Sequence, residues 1–279
     1  MSEQPLVDTH VHVFTRDMPL VAKPRHRPDY DFTHDALIAT LDAHGVAFAV
    51  IAAASPWGDY NDCILAALRA HPRRLRGTAI LPPTAGRYEL EGMARDGFLG
   101  VRLPFMGLSE LPDLTTFDYR RFLRRLADLD WHVHLHVEGT RMPRLLPVIE
   151  DAGVKLVIDH MGRPEPETGI GGAGFKAVLG AIGRGRTWVK LSAAYRQGPQ
   201  SDDYARELVR MAGPDRLMWA SDCPFVGCER EVSYQQTVDW LIGCVPDRQA
   251  RSRIFGETAL RFYFGENAPA TLHGGRAPG

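Results

Sequence analysis

The sequence has little of what marks a secreted, membrane-spanning or nucleic-acid-binding chain. Its 279 residues contain four cysteines, Cys63, Cys223, Cys228 and Cys244. That is too few, and too scattered, for a disulfide framework. Cys223 and Cys228 stand close together across Pro224 and Gly227, but no second close pair completes a zinc site, so all four are read as free thiols. No apolar run reaches the length of a bilayer span. Met1 to Pro5 lacks the basic-then-apolar pattern of a leader, and the expected location is the cytoplasm. The formal net charge is only −1, which excludes a global field for nucleic acid or an anionic membrane surface. A glycine-rich loop (Gly169, Gly171, Gly172, Gly174) lacks the strand-turn-helix setting of a phosphate cradle.

What is present is a soluble globular composition, with 44% hydrophobic and 24% charged residues, arranged in a regular rhythm. Apolar strand-like runs at 7–14, 47–54, 75–81, 99–105, 131–137, 154–160, 188–192 and 216–222 alternate with amphipathic segments. The segments at 35–44, 59–70, 87–95, 118–130, 142–152, 175–182, 204–211 and 233–244 read as helices, with a further one at 247–255. Strands that are apolar throughout, instead of alternating, are strands buried on both faces in a parallel sheet. Eight strand-helix units predict an α/β protein, a single-domain (β/α)8 TIM barrel over residues 1–265, followed by a flexible Gly- and Pro-rich tail at 266–279. In such a barrel, chemistry sits where the strands end at the carboxyl side.

The polar residues at those ends form a set. His10 and His12, two apart on the first run, share one face. On the fifth run His132, His134 and His136 share the face opposite Trp131, Val133, Leu135 and Val137, with His136 nearest the mouth. The sixth run ends in Asp159-His160 and the eighth in Ser221-Asp222. Parity turns Asp159 away from His160, leaving Asp222 as the carboxylate of the mouth. His10, His12, His136, His160 and Asp222 are the kinds of ligand that one divalent ion of the zinc type takes. Binuclear barrel hydrolases bridge two metals with a lysine on the fourth strand, and 99–105 has none, so one ion is the most expected. Arg102 and Arg196 suit bidentate capture of a carboxylate, and Ser55 and Trp57 stand after the second run. The basic stretch at 15–32, with Arg16, Lys23, Arg25, His26 and Arg27, is a further candidate for holding substrate.

Several motifs resemble the amidohydrolase superfamily, in the amidohydrolase-related branch that includes 2-pyrone-4,6-dicarboxylate lactonase and sugar lactonases. They are Asp8-Thr9-His10-Val11-His12, Gly100-Val101-Arg102, Asp159-His160-Met161-Gly162-Arg163-Pro164, Trp188-Val189-Lys190-Leu191-Ser192 with Tyr195-Arg196, and Trp219-Ala220-Ser221-Asp222-Cys223-Pro224. The resemblance implies a lactone hydrolase. Some members use the histidines without metal to polarise the lactone carbonyl, others bind zinc, and a histidine at 136 tilts the balance toward metal. The implied roles are catalysis by Asp222, His10, His12 and His160, and contacts to a small anionic lactone from Arg102, Arg196, Ser55, Trp57 and Tyr195. Cys223 and the wording of Ser55-Pro56-Trp57-Gly58-Asp59 depart from the family pattern and leave the particular substrate open. A lactone isomerase, a metal-dependent decarboxylase and a non-enzymatic binding protein are the alternatives, and a homo-oligomer is compatible with the sequence.

Overall fold

A computed structural model describes residues 5–265; the expected tail at 266–279 lies outside the described residues. Eight strands run in the order of the chain: β1 (Leu6–Val11), β2 (Val46–Ile51), β3 (Leu75–Ala79), β4 (Phe98–Pro104), β5 (His132–His136), β6 (Lys155–Ile158), β7 (Thr187–Leu191) and β8 (Leu217–Trp219). Each pairs in parallel with the next. The ring is joined between its first and last strands just past their ends, where a parallel bridge links Val11 and Cys223. There His12 N–H donates to Cys223 O and Asp222 N–H to His10 O, at 2.9 and 3.0 Å. This is the expected barrel in a single domain.

Between the strands lie α1 (His34–Ala43), α2 (Asp62–Ala70), α3 (Arg87–Arg95), α4 (Phe117–Asp128), α5 (Met142–Asp151), α6 (Ala173–Gly183) and α7 (Ser201–Ala212), followed by α8 (Tyr234–Cys244) and α9 (Arg248–Ser252). Thr33 caps α1 by accepting from Ala36 N–H, and Ser233 with Gln236 makes a reciprocal capping box on α8, satisfying amides that a helix start leaves free. The main core lies between strands and helices: Val11, Ile51, Val101, Val133 and Val189 face Leu41, Leu68, Phe122 and Leu208. Of the glycines at 169–174, Gly174 at the start of α6 is required by packing. A side chain on Gly174 would be driven into the backbone of Gly139.

One element exceeds expectation. The helical path does not stop at 255 but continues past α9 through wider turns to Phe264. Ala259 and Tyr263 join Val7, Phe48, Val50 and Met218 in a second core at the barrel floor, flanked by Leu260, Phe262 and Phe264. These apolar side chains plug the end of the barrel opposite the mouth. The floor residues of short strands have no helix of their own to cover them, so the chain's last helical turns bury them.

Candidate active site

The mouth is built at the strand ends, and its backbone explains one reversal. β6 stops at Ile158, and His160, Met161 and Arg163 all adopt positive φ. Leu156 and Ile158 face the helices, so Asp159, still extended, points into the barrel, and it is His160 that positive φ turns inward against the alternation. Asp159, expected to face away, is fully buried inside the barrel: Oδ2 accepts from Arg102 Nε at 3.0 Å, while Oδ1 lies 3.3 Å from His10 Nδ1 and 3.1 Å from Lys190 Nζ. β8 likewise ends at Trp219, and Asp222 sits beyond it at a φ of 71°. Asp8, fully buried in β1, accepts from Ser221 N–H and from the hydroxyls of Ser221 and Tyr234, and so fixes the path that carries Asp222 into the mouth.

Asp222 is the meeting point. Its Oδ2 accepts from Tyr195 OH at 2.7 Å and from Arg196 Nε at 3.0 Å. Its Oδ1 faces three imidazoles, with His12 Nε2 at 3.5 Å, His10 Nε2 at 3.6 Å and His160 Nε2 at 3.8 Å. The four side chains are nearly solvent-free. Burial alone would raise the Asp222 carboxyl, but the imidazoles of His160, His12 and His10 and the Arg196 guanidinium hold it well below the usual carboxylate range. His160 is pushed down to about 4 by burial, against the opposing pull of Asp222 and Asp159. Burial and the charge on Lys190 lower His10 further. At neutral pH this is a carboxylate among neutral imidazoles His10 and His160, the states in which these groups ligate metal.

The residues fit a divalent ion. His12 Nδ1 contacts the carbonyl oxygen of Ala52 at 2.7 Å. A carbonyl only accepts, so the proton is on Nδ1 and Nε2 can offer a lone pair toward Asp222 Oδ1. Two acceptors facing one another call for a cation between them. His10 Nε2 is buried without a hydrogen-bond partner. Tetrahedral zinc ligands at about 2.0–2.1 Å from their ion stand about 3.3 Å apart, close to the 3.5–3.8 Å seen around Oδ1. His10, His12 and Asp222 form one compact ligand group, and His10, Asp159 and His160 another. His136, expected as a fifth ligand, lies beside these groups and belongs to neither; its Nδ1 is 3.2 Å from Arg102 Nη2. Burial and that guanidinium lower its pKa.

Above the cluster opens a cavity lined by His12, Arg25, His26, Ser55, Trp57, Arg102, His136, His160, Arg163, Arg196 and Asp222, among others. Ser55 and Trp57 stand where the sequence placed them. Arg102 and Arg196 do too, but much of each guanidinium serves the protein. Arg102 donates to Asp159, Ala53 O and His136, and Arg196 to Asp222 and Val226 O. Tyr195, expected to touch substrate, does not line this cavity; its hydroxyl holds Asp222 instead. Two further arginines line the cavity, Arg25 from the basic stretch expected to hold substrate and Arg163, which carried no assigned role; neither forms an ion pair among the described residues, and Arg163 Nη1 reaches only the carbonyl of Arg196, at 3.2 Å. Burial lowers both. Lys190, fully buried, is the other residue given no role. Its signal was a lone charge in an apolar run, on the face opposite Val189 and Leu191. Burial, opposed by Asp159, brings it down to about 8, so it is an ammonium at neutral pH.

A parallel barrel with neutral imidazoles around a carboxylate at the carboxyl ends of its strands is the site of a hydrolytic enzyme. The chain belongs to the amidohydrolase family, whose profile (Amidohydrolase) matches residues 7–265. It is similar to a Pseudomonas putida structure described as a 2-pyrone-4,6-dicarboxylic acid hydrolase, with 35% identity and a TM-score of 0.86 over 95% of this chain and 99% of that one. An Acinetobacter baumannii structure of the same description, with citric acid bound, shares 30% identity and a TM-score of 0.88 over 93% and 99%. The 4-sulfomuconolactone hydrolase of Hydrogenophaga intermedia is 27% identical over 92% of this chain and 88% of its own. Among the described residues no helix is long and apolar enough to cross a membrane.

Proposed function

We propose that this chain is a lactonase that opens the ring of a small lactone carrying two or more anionic groups, of the kind named for its relatives, 2-pyrone-4,6-dicarboxylic acid and 4-sulfomuconolactone. The observation that carries this reading is Asp222, with one oxygen pinned by Tyr195 and Arg196 and the other presented to His10, His12 and His160. The cationic cavity above it supports an anionic substrate.

The lactone carbonyl is seated against the histidine cluster, where His10 and His160, when their protons are on Nε2, take up charge developing on its oxygen. Asp222 Oδ1 accepts a proton from a water molecule positioned beside it, and that water's oxygen bonds to the carbonyl carbon. The tetrahedral adduct collapses with cleavage of the acyl–ring oxygen bond, and Asp222 returns the proton to the departing oxygen. Because its neighbours hold Asp222 well below the usual range, it is ionised throughout the working pH range but is a weak base, so water must be polarised for the transfer to proceed. His10, His12, His160 and Asp222 would hold one divalent ion of the zinc type, which when bound supplies that polarisation by lowering the pKa of water. Arg25 and Arg163, with the spare N–H groups of Arg102 and Arg196, bind the anionic groups, His26 and His136 line the wall, Ser55 donates a hydroxyl and Trp57 packs on the ring. Holding both ends of the substrate sets the line of attack.

The test is a lactone panel read by acid release, containing mono- and dicarboxylated pyrones, a sulfonated muconolactone and uncharged lactones. Turnover confined to the polyanionic members is the expected result. Carbon dioxide release, ring isomerisation without acid release, or a preference for uncharged lactones overturns the reading.

A further inference from the structure

Below the imidazole cluster lies a buried charge that the reaction above does not use. Lys190 Nζ lies 3.1 Å from His10 Nδ1 and 3.1 Å from His134 Nδ1, both as hydrogen bonds, and 3.1 Å from Asp159 Oδ1. An ammonium has three N–H donors and no acceptor, so both hydrogen bonds run from Nζ to the rings. Each imidazole must therefore offer Nδ1 as an acceptor and carry its own proton on Nε2. For His134 the consequence is met: its Nε2 lies 3.0 Å from Tyr263 OH. For His10 the proton then sits on the atom that faces Asp222 Oδ1 at 3.6 Å and has no hydrogen-bond partner.

His12 is arranged the other way, since Ala52 O draws its proton to Nδ1. A metal takes the lone pair of a ring nitrogen, and metal-bound histidines donate their other N–H to a carboxylate or carbonyl. Such a carboxylate is present for His10. Asp159 Oδ1 lies 3.3 Å from the same Nδ1 and is buried without a hydrogen-bond partner. Lys190 and Asp159 thus contend for one nitrogen, the first by donating to it and the second by accepting from it.

We infer that Lys190 is a positioning residue that weakens divalent-ion capture at this site by holding His10 with its proton on Nε2, and that Asp159 favours capture by drawing that proton to Nδ1. Held by Lys190, His10 aims an N–H into the mouth as a donor for a carbonyl oxygen. Held by Asp159, it is a metal ligand. The inference rests on the ligand set proposed above, His10, His12, His160 and Asp222.

Zinc affinity is measured on chelator-treated, dialysed protein by competition with a chromophoric chelator. Lys190→Met should bind zinc at least about 10-fold more tightly than the parent, and Asp159→Asn more weakly, the scale on which partners of metal ligands act. A Lys190→Met affinity equal to or below the parent's overturns the inference. Asp222→Asn separates it from the ligand set. If that variant binds as tightly as the parent, the ion lies elsewhere and both fail; if it binds more weakly while Lys190→Met is unchanged, only the role of Lys190 fails. Nitrogen-15 imidazole spectra of the metal-free parent, assigned through His10→Gln, keep the matter decidable should Lys190→Met not fold. The inference expects His10 protonated at Nε2, and a signal showing the proton at Nδ1 contradicts it.

Discussion

The two ends of the barrel use the same residue types to opposite effect, and strand β5 runs between them. At the mouth His136 stands beside Arg102 and faces the cavity. Midway, His134 is tied to Lys190 and Tyr263. At the floor, His132 packs against Phe262 and Tyr263, with their ring centroids 5.2 and 5.3 Å away. The imidazoles nearest solvent are surrounded by charge and unfilled donor capacity. The one at the opposite end is walled by aromatic rings, and opposite it Gly100 leaves no room for a side chain. Position along the strand, not residue identity, separates chemistry from packing. Mutations at the mouth should therefore change turnover at little cost in stability, and mutations at the floor the reverse.

The largest effect expected is at Asp222. Asparagine keeps the shape and the contacts of Oδ2 but cannot accept a proton from water at neutral pH. Asp222→Asn should lose about 10²-fold or more in kcat, with substrate affinity and melting temperature close to the parent's. Near-parental turnover would place the base elsewhere and remove the contrast between the two ends. The converse test is Tyr263→Ala, which empties the floor. It should cost about 3 kcal/mol or more of stability, the usual range for deleting a buried aromatic side chain, while the folded fraction retains the parent's KM. A large KM change with unaltered stability would show that the floor feeds the mouth.

A smaller effect sharpens the account of the mouth itself. Arg25→Ala and Arg163→Ala should each raise KM about 10-fold on a dianionic lactone, a loss of about 1.4 kcal/mol of binding, with little change on a monoanionic one. Equal KM on both substrates would return these arginines to structure.

A last effect concerns pH at the floor. Burial, with help from the charge on Lys190, lowers His132 from 6.5 to about 3. Between those values the unfolded chain binds a proton that the folded chain does not, so stability falls as pH drops. One such group contributes about 1.4 kcal/mol per pH unit in that window. His132 Nε2 has no hydrogen-bond partner to lose. Denaturant unfolding of His132→Leu from pH 7 to pH 4 should show a shallower loss than the parent, and identical slopes would assign the acid sensitivity to other groups.

The barrel was legible because each buried strand is an apolar run and each helix has a polar face, and both follow from which sides water reaches. The histidine set was legible for a related reason, since a polar residue on the inward face of such a run has nowhere to point but the barrel. The same parity rule misdirected Asp159 because it was counted from His160, which lies past the strand and enters the mouth through its positive φ; counted from Ile158, Asp159 faces inward. The closing turns at the floor went unread beyond 255 although Phe255, Ala259 and Tyr263 recur at the helical spacing of four, because the spacing does not say that the helix turns under the barrel. Arg25 and Arg163 could be seen as basic residues, but which arginines keep free donors depends on where Asp159 and Asp222 lie. That is a property of the folded mouth.

The central claim is that this mouth adds water to a lactone carbonyl and breaks the acyl–oxygen bond. It is tested most directly by running ring opening of a dicarboxylated pyrone in oxygen-18 water and weighing the product. One heavy oxygen per molecule, located in the newly formed carboxylate, is the predicted result. A product without label from the solvent would show that the ring is rearranged and not hydrolysed, and would contradict the account.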